Sequence, residues 1–135
     1  MKKPFILFVS ILFLQIANSQ NSYESIDDYG IFKNSWALVK LNGKFGFIDK
    51  SGKEVVAPIY DKVYDFGAIK AGWALVESNG KYGFINTKGV EIVPTKYDRI
   101  YDFGSKLEGH AEVEIDGKYT FINKKGKEIT SLKKV

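Results

Sequence analysis

The chain has 135 residues, 44% of them hydrophobic, and a formal net charge of +4. That suits one domain with its own core and excludes a chain disordered by composition. There is no cysteine and a single histidine, His110, which removes disulfide frameworks, thiolate catalysis, Cys-type zinc sites and sites built from several histidines.

At the N-terminus, Lys2 and Lys3 precede an apolar run over 4–17, PFILFVSILFLQIA, and then Ala17-Asn18-Ser19. A positive start, a short apolar stretch and a small-x-small site are the layout of a secretory signal peptide. The run is shorter than the ~20 residues a membrane-spanning helix requires. The expectation is a signal peptide over 1–19, cleaved after Ser19, with no transmembrane segment left and a secreted or periplasmic mature chain, 20–135. Its remaining charge is of mixed sign with no basic stripe, so nucleic acid is not an expected partner.

The mature chain repeats. Gly30, Gly67 and Gly104 stand 37 residues apart and open three segments that align without a gap. They begin GIFKNSWALVKLNGKFGFIDKSGKEVV (30–56), GAIKAGWALVESNGKYGFINTKGVEIV (67–93) and GSKLEGHAEVEIDGKYTFINKKGKEIT (104–130). The preceding YESIDDYG matches the tails YDKVYDFG and YDRIYDFG. This gives one repeat domain over 20–135: a half repeat at 23–29, then repeats 30–66, 67–103 and 104–135.

Within each unit, Asn42-Gly43, Asn79-Gly80 and Asp116-Gly117 separate apolar-rich runs and signal tight hairpin turns. Second turns follow at Ser51-Gly52, Lys88-Gly89 and Lys125-Gly126. The intervening runs, such as WALVKL, FGFID and EVV, are β-branched and aromatic and too short for helices. The fold class is therefore all-β, a tandem repeat of short antiparallel hairpins and meanders. A two-residue Asn42-Gly43 loop predicts Ala37 opposite Ile48 and Leu38 opposite Phe47. One face then carries Ala37, Val39 and Ile48 and recurs as Ala74, Val76, Ile85 and Ala111, Val113, Ile122. The other carries Trp73, Leu75, Tyr82 and Phe84 in the second unit, but His110, Glu112, Tyr119 and Phe121 in the third. That loss of Trp and Leu predicts a last unit that meets solvent where the others meet a neighbour.

The string A-x-V-x-x-(N/D)-G-K-aromatic-(G)-F-I-(D/N)-x-x-G-x-E-(V/I), followed by Y-D-x-(V/I), resembles the WG repeat family of bacteria over about 23–130. Two departures stand out. The family's namesake Trp is Phe45, Tyr82 and Tyr119 here, and the Gly that follows becomes Thr120 in the last unit. The resemblance implies a β-rich repeat with an interaction role, and no chemistry.

Candidate chemistry is thin. Asp61 and Asp65, with Asp98 and Asp102, recur in Tyr-Asp-x-x-Tyr-Asp-Phe, and such acids serve acid/base or cation-binding work elsewhere. Here they recur with the fold, as turn-capping aspartates do, and no Asp-x-Asp-x-Asp-Gly loop is present. Glu54, Glu91 and Glu128 hold one repeat position and are expected to pair with Lys44, Lys81 and Lys118. The aromatics Trp36, Tyr60, Tyr64, Trp73, Tyr97 and Tyr101 are the sharper candidates for ligand or partner contact, because rings with polar tips stack on sugars and anchor interfaces. The plain alternative is that large rings at fixed repeat positions fill a thin core. The expectation is a non-catalytic module, with no cofactor and no metal, that binds a protein partner at the bacterial envelope. Cell-wall glycan binding and self-association are the alternatives.

Overall fold

The computed structural model describes residues 22–129, so the signal peptide expected over 1–19 lies outside the described residues. Those residues are all-β, with twelve strands in three four-stranded antiparallel sheets. The first sheet is β1 (Ser25–Ile26), β2 (Trp36–Leu41), β3 (Lys44–Asp49) and β4 (Glu54–Tyr60), in that order. The second is β5 (Lys62–Val63), β6 (Trp73–Ser78), β7 (Lys81–Asn86) and β8 (Glu91–Tyr97). The third is β9 (Arg99–Ile100), β10 (Ala111–Ile115), β11 (Lys118–Ile122) and β12 (Glu128–Ile129). Each sheet begins with the short strand supplied by a tyrosine- and aspartate-rich tail. A period has no origin of its own: units cut at Gly30, Gly67 and Gly104 divide each sheet between its first and second strands. The half repeat at 23–29 thus supplies the first strand of a complete sheet.

The hairpins form where the turn chemistry demands. Asn42, Asn79 and Asp116 each adopt φ 51° and are followed by glycines at φ 78°, 76° and 74°. Two successive positive φ values make the tight turn whose twist matches the flanking strands, and Asn, Asp and Gly tolerate them best. The turn fixes the register: Ala37 lies opposite Ile48 and Leu38 opposite Phe47, with the same spacing in the second and third sheets. Asp49, Asn86 and Asn123 close the second turns, each side-chain oxygen accepting two backbone N–H groups at 2.9–3.1 Å.

Alternation then gives every sheet two different faces, and the sheets stack unlike face on unlike face. Trp36, Phe47, Val56 and Tyr60 of the first sheet pack on Ala74, Val76 and Ile85 of the second. Trp73, Phe84, Val93 and Tyr97 of the second pack on Ala111, Val113 and Ile122 of the third. Large rings meet small and branched side chains, so the facing layers interdigitate. Each fully buried Val, Ile or Phe stabilises by about 1.5–3 kcal/mol, which makes these two interfaces the main source of stability.

Polar contacts stitch the same interfaces. The Tyr60 hydroxyl donates to the Glu91 carboxylate, and Tyr97 donates to Glu128 at 2.5 Å. Tyr23 opens the series, donating to Glu54 at 2.9 Å. Asp61 accepts from the Lys44 ammonium of the first sheet and from the Asn79 backbone N–H in the second sheet's hairpin turn. Asp98 links Lys81 and the Asp116 N–H in the same way. The expected Glu–Lys pairing is thereby corrected. Lys44 and Lys81 start the third strand of a sheet, close to the aspartate that follows the fourth, whereas Glu54, Glu91 and Glu128 start a fourth strand at the opposite end. The carboxylates therefore meet a tyrosine from the neighbouring segment. The recurring Asp61 and Asp98 act as staples, while Asp65 and Asp102 sit exposed in turns and accept N–H groups of Ala68 and Ser105 through their carbonyls.

Candidate functional site

The six aromatic candidates separate into two groups. Trp36 is 5% exposed, Trp73 8%, Tyr60 3% and Tyr97 1%. All four lie between sheets. Trp36 packs against Phe47 with ring centroids 5.4 Å apart and against Phe66 at 5.9 Å, and Trp73 repeats this with Phe84 at 5.3 Å and Phe103 at 5.7 Å. Lys33 and Lys70 ammonium groups lie over the two indoles at 4.5 and 4.1 Å. Rings held in this way lie in the packing between sheets, with little of their surface exposed.

Tyr64 and Tyr101 remain half-buried, and the structure brings them together. With Leu75, Tyr82, Arg99 and Ile100 they line a groove of about 310 Å³ between the second and third sheets. Each side chain has a clear origin. Tyr64 and Tyr101 follow the short strands β5 and β9, held there by backbone N–H bonds of 2.9 Å to the Leu75 and Glu112 carbonyls. Leu75 projects from β6, and Tyr82 is the second residue of β7, opposite Glu77. Arg99 and Ile100 form β9 itself, paired with Glu114 and Val113. The floor is aliphatic, the walls are phenol rings, and Arg99 supplies a guanidinium.

The electrostatics follow from these neighbours. Tyr64 donates to Glu77 at 3.3 Å, and burial, then the Glu77 charge, pushes its phenol above the ordinary tyrosine range. The Arg99 guanidinium is raised further by its hydrogen bond to Tyr101 and by Glu114. Its Nε lies 3.9 Å from Glu114 Oε2, and that oxygen is buried without a hydrogen bond. Tyr60 and Tyr97 are pushed well above 10.0, first by burial and then by the bonded glutamates. The groove holds hydrogen-bond donors, acceptors and flat apolar surface. It holds no nucleophile paired with a base, the arrangement that acyl or phosphoryl chemistry requires.

A second, open groove of about 420 Å³ lies against the third sheet, lined by Gly109, His110, Asn123, Lys124 and Lys125. His110 Nδ1 lies 2.8 Å from the Glu108 carbonyl, so its ring donates to its own loop. Among the described residues no cluster of three or more His, Asp or Glu side chains is placed to hold a metal ion, and no helix is long and apolar enough to cross a membrane. Sequence reasoning missed Leu75, Tyr82, Arg99 and Ile100 as groove residues. One signal was available: Arg99 is the only arginine in the sequence.

The family model of the WG containing repeat matches residues 45–82 and 82–119, together more than half of the chain. No curated protein and no solved structure matches it.

Proposed function

We propose, for a chain that belongs to the WG containing repeat family, that it works as an exported, non-catalytic repeat module that binds a protein partner at the bacterial envelope. The groove formed by Tyr64, Leu75, Tyr82, Arg99, Ile100 and Tyr101 carries this reading. Tyrosine and arginine around an aliphatic floor are the residue types that dominate interface energetics, since they bring large apolar area, few rotors and a hydrogen-bonding tip. At about 310 Å³ the space fits one or two anchoring side chains of a partner. Export is motivated by the Lys2–Lys3 start, the apolar run 4–17 and the Ala17-Asn18-Ser19 site.

The glycan alternative rested chiefly on Trp36 and Trp73, and their burial leaves it only Tyr64 and Tyr101. The test is affinity capture on the immobilised protein from an envelope extract, with and without protease treatment, repeated with Tyr82→Ala and Arg99→Glu. A protease-sensitive species retained by the wild-type protein and lost with both variants supports the proposal. Protease-resistant retention transfers the function to a glycan. Retention unchanged in both variants removes the groove from it.

A further inference from the structure

The second turn of each sheet carries a different charge. It reads Asp49-Lys50-Ser51-Gly52-Lys53 in the first sheet, Asn86-Thr87-Lys88-Gly89-Val90 in the second and Asn123-Lys124-Lys125-Gly126-Lys127 in the third. Trp36 pairs with Asp49 and Trp73 with Asn86, and the register of the third sheet sets His110 against Asn123. In the first two sheets the indole at this position is buried between sheets. In the third, with an imidazole in its place, lies the open groove of about 420 Å³ lined by Gly109, His110, Asn123, Lys124 and Lys125. It shares no lining residue with the groove of Tyr64 and Arg99.

The side chains of this lining offer donors and no carboxylate. Asn123 Oδ1 already accepts the Lys125 and Lys127 backbone N–H groups at 2.9 and 3.1 Å, so its amide nitrogen, a donor, is what it can offer a ligand. Lys124 and Lys125 bring ammonium groups, each with three donors and a full charge. Gly109, at φ 71°, lets Lys124 lie close, since a Cβ there would stand 3.2 Å from Lys124 Cε. The His110 ring is held by its Nδ1 bond of 2.8 Å to the Glu108 carbonyl. The same end of the first sheet carries the Asp49 carboxylate, and that of the second a single lysine, Lys88. The combination of a lysine-rich turn with an open groove belongs to the third sheet.

We infer that this groove is an anion site that takes a phosphate group. A phosphate presents several acceptor oxygens around a compact negative charge, and lysine binds it as a point charge. Two ammonium groups and the Asn123 amide in one concave space match that pattern, whereas a carboxylate, with two oxygens, would engage fewer of them. Each unit charge about 4 Å from the anion shifts the equilibrium by about fivefold in water, and salt screens the effect. The site therefore works best where phosphates are concentrated or clustered. The phosphate comes from a lipid headgroup or from a soluble molecule, and a vesicle tells the two apart. The inference adds a second site to the module and does not depend on the groove of Tyr64 and Arg99.

His110 is the only histidine in the sequence, so its ring protons give a single proton NMR reporter on the wall of the groove. The full chain as the cell produces it is titrated at constant pH with inorganic phosphate, and separately with sodium chloride at matched ionic strength. The expected result is a saturable shift of the His110 signals with phosphate and none with chloride. Lys124→Ala/Lys125→Ala should weaken it by at least about tenfold. Lys50→Ala/Lys53→Ala, which removes two equal charges from the first sheet's turn, should leave it in place. No saturable shift overturns the inference, as does a shift that survives Lys124→Ala/Lys125→Ala or is lost equally in Lys50→Ala/Lys53→Ala. Co-sedimentation with phosphatidylcholine vesicles, with and without phosphatidylglycerol, then gives the source. Retention on the phosphatidylglycerol vesicles that disappears in Lys124→Ala/Lys125→Ala supports a lipid headgroup, and phosphate binding without retention supports a soluble phosphate.

Discussion

The same repeat position is core in the second sheet and surface in the third, and a matched pair of substitutions measures the difference. Trp73 is buried against Phe84 and Phe103, with the Lys70 ammonium over its ring. His110 stands 37 residues later on the outer face of the last sheet, half-exposed, and bonds only to its own loop among the contacts of its ring nitrogens. Truncating a buried Trp to Ala costs about 3–5 kcal/mol through lost transfer energy and the cavity left behind. Surface truncations away from caps and networks stay within about 0.5 kcal/mol. Trp73→Ala should therefore remove a large part of the ~5–15 kcal/mol typical of a whole domain, and His110→Ala almost none. Urea unfolding followed by circular dichroism reads this directly. With a slope of about 1–3 kcal/mol/M, the Trp73→Ala midpoint falls by roughly 2 M while that of His110→Ala barely moves. Equal shifts in the two variants would refute the assignment of opposite environments.

Tyr97→Phe keeps the buried ring and deletes the hydroxyl that donates to Glu128. A hydrogen bond to a charged group contributes about 1.5–3 kcal/mol, and because Lys96 also holds that carboxylate at 3.2 Å, the loss in urea titrations should sit at the low end of that range. Gly83→Ala should cost about 1–3 kcal/mol by overpacking, since an added Cβ would lie 2.7 Å from the Pro94 carbonyl carbon and overlap the Val93 oxygen; Thr120→Ala, at the equivalent place in the third sheet, creates no overlap and should cost only about 0.5–1.5 kcal/mol, through loss of the 3.3 Å hydrogen bond that its hydroxyl donates to the Ile129 carbonyl. The pH profile of stability should be a dome. Hydrogen bonds and cations depress the carboxyls of Asp49, Asp61, Asp98 and Glu128 below their ordinary 3.8 and 4.5, so the unfolded chain takes up protons first and stability falls as pH drops below 4.5. Burial raises Tyr60, Tyr64 and Tyr97 above 10.0, so the unfolded chain ionises first and stability falls again above that pH. Urea midpoints measured across the acid range, at neutrality and above 10.0 check both flanks.

Most of the fold was legible because its controlling signals are local. Asn42-Gly43, Asn79-Gly80 and Asp116-Gly117 dictate a two-residue turn, the turn dictates register, and alternation then dictates which residues share a face. How the faces meet was less legible. Trp36 and Trp73 look alike as ligand platforms and as core until a neighbouring sheet is placed over them, and that contact joins residues of different repeats. The Tyr–Glu series was hidden for the same reason: Tyr60 and Glu91 lie 31 residues apart and meet only once the sheets stack. The groove required both facts. Tyr64 and Tyr101 could be named from the repeated tail, but Leu75, Tyr82 and Arg99 join them only because the third sheet's first strand crosses beside the second sheet. The third unit was readable in outline from the replacement of Trp and Leu by His110 and Glu112, while the Lys106–Glu112 ion pair at 2.7 Å was not.

The central claim is that the repeat aromatics are the mortar between stacked sheets. The two tryptophans, Trp36 and Trp73, are the only ones in the chain, so acrylamide quenching of tryptophan fluorescence tests it without any substitution. Blue-shifted emission with quenching far below that of the urea-unfolded protein is the result this account predicts. Red-shifted emission, quenched as readily in the native as in the unfolded protein, would place the indoles in water and contradict the stacked architecture.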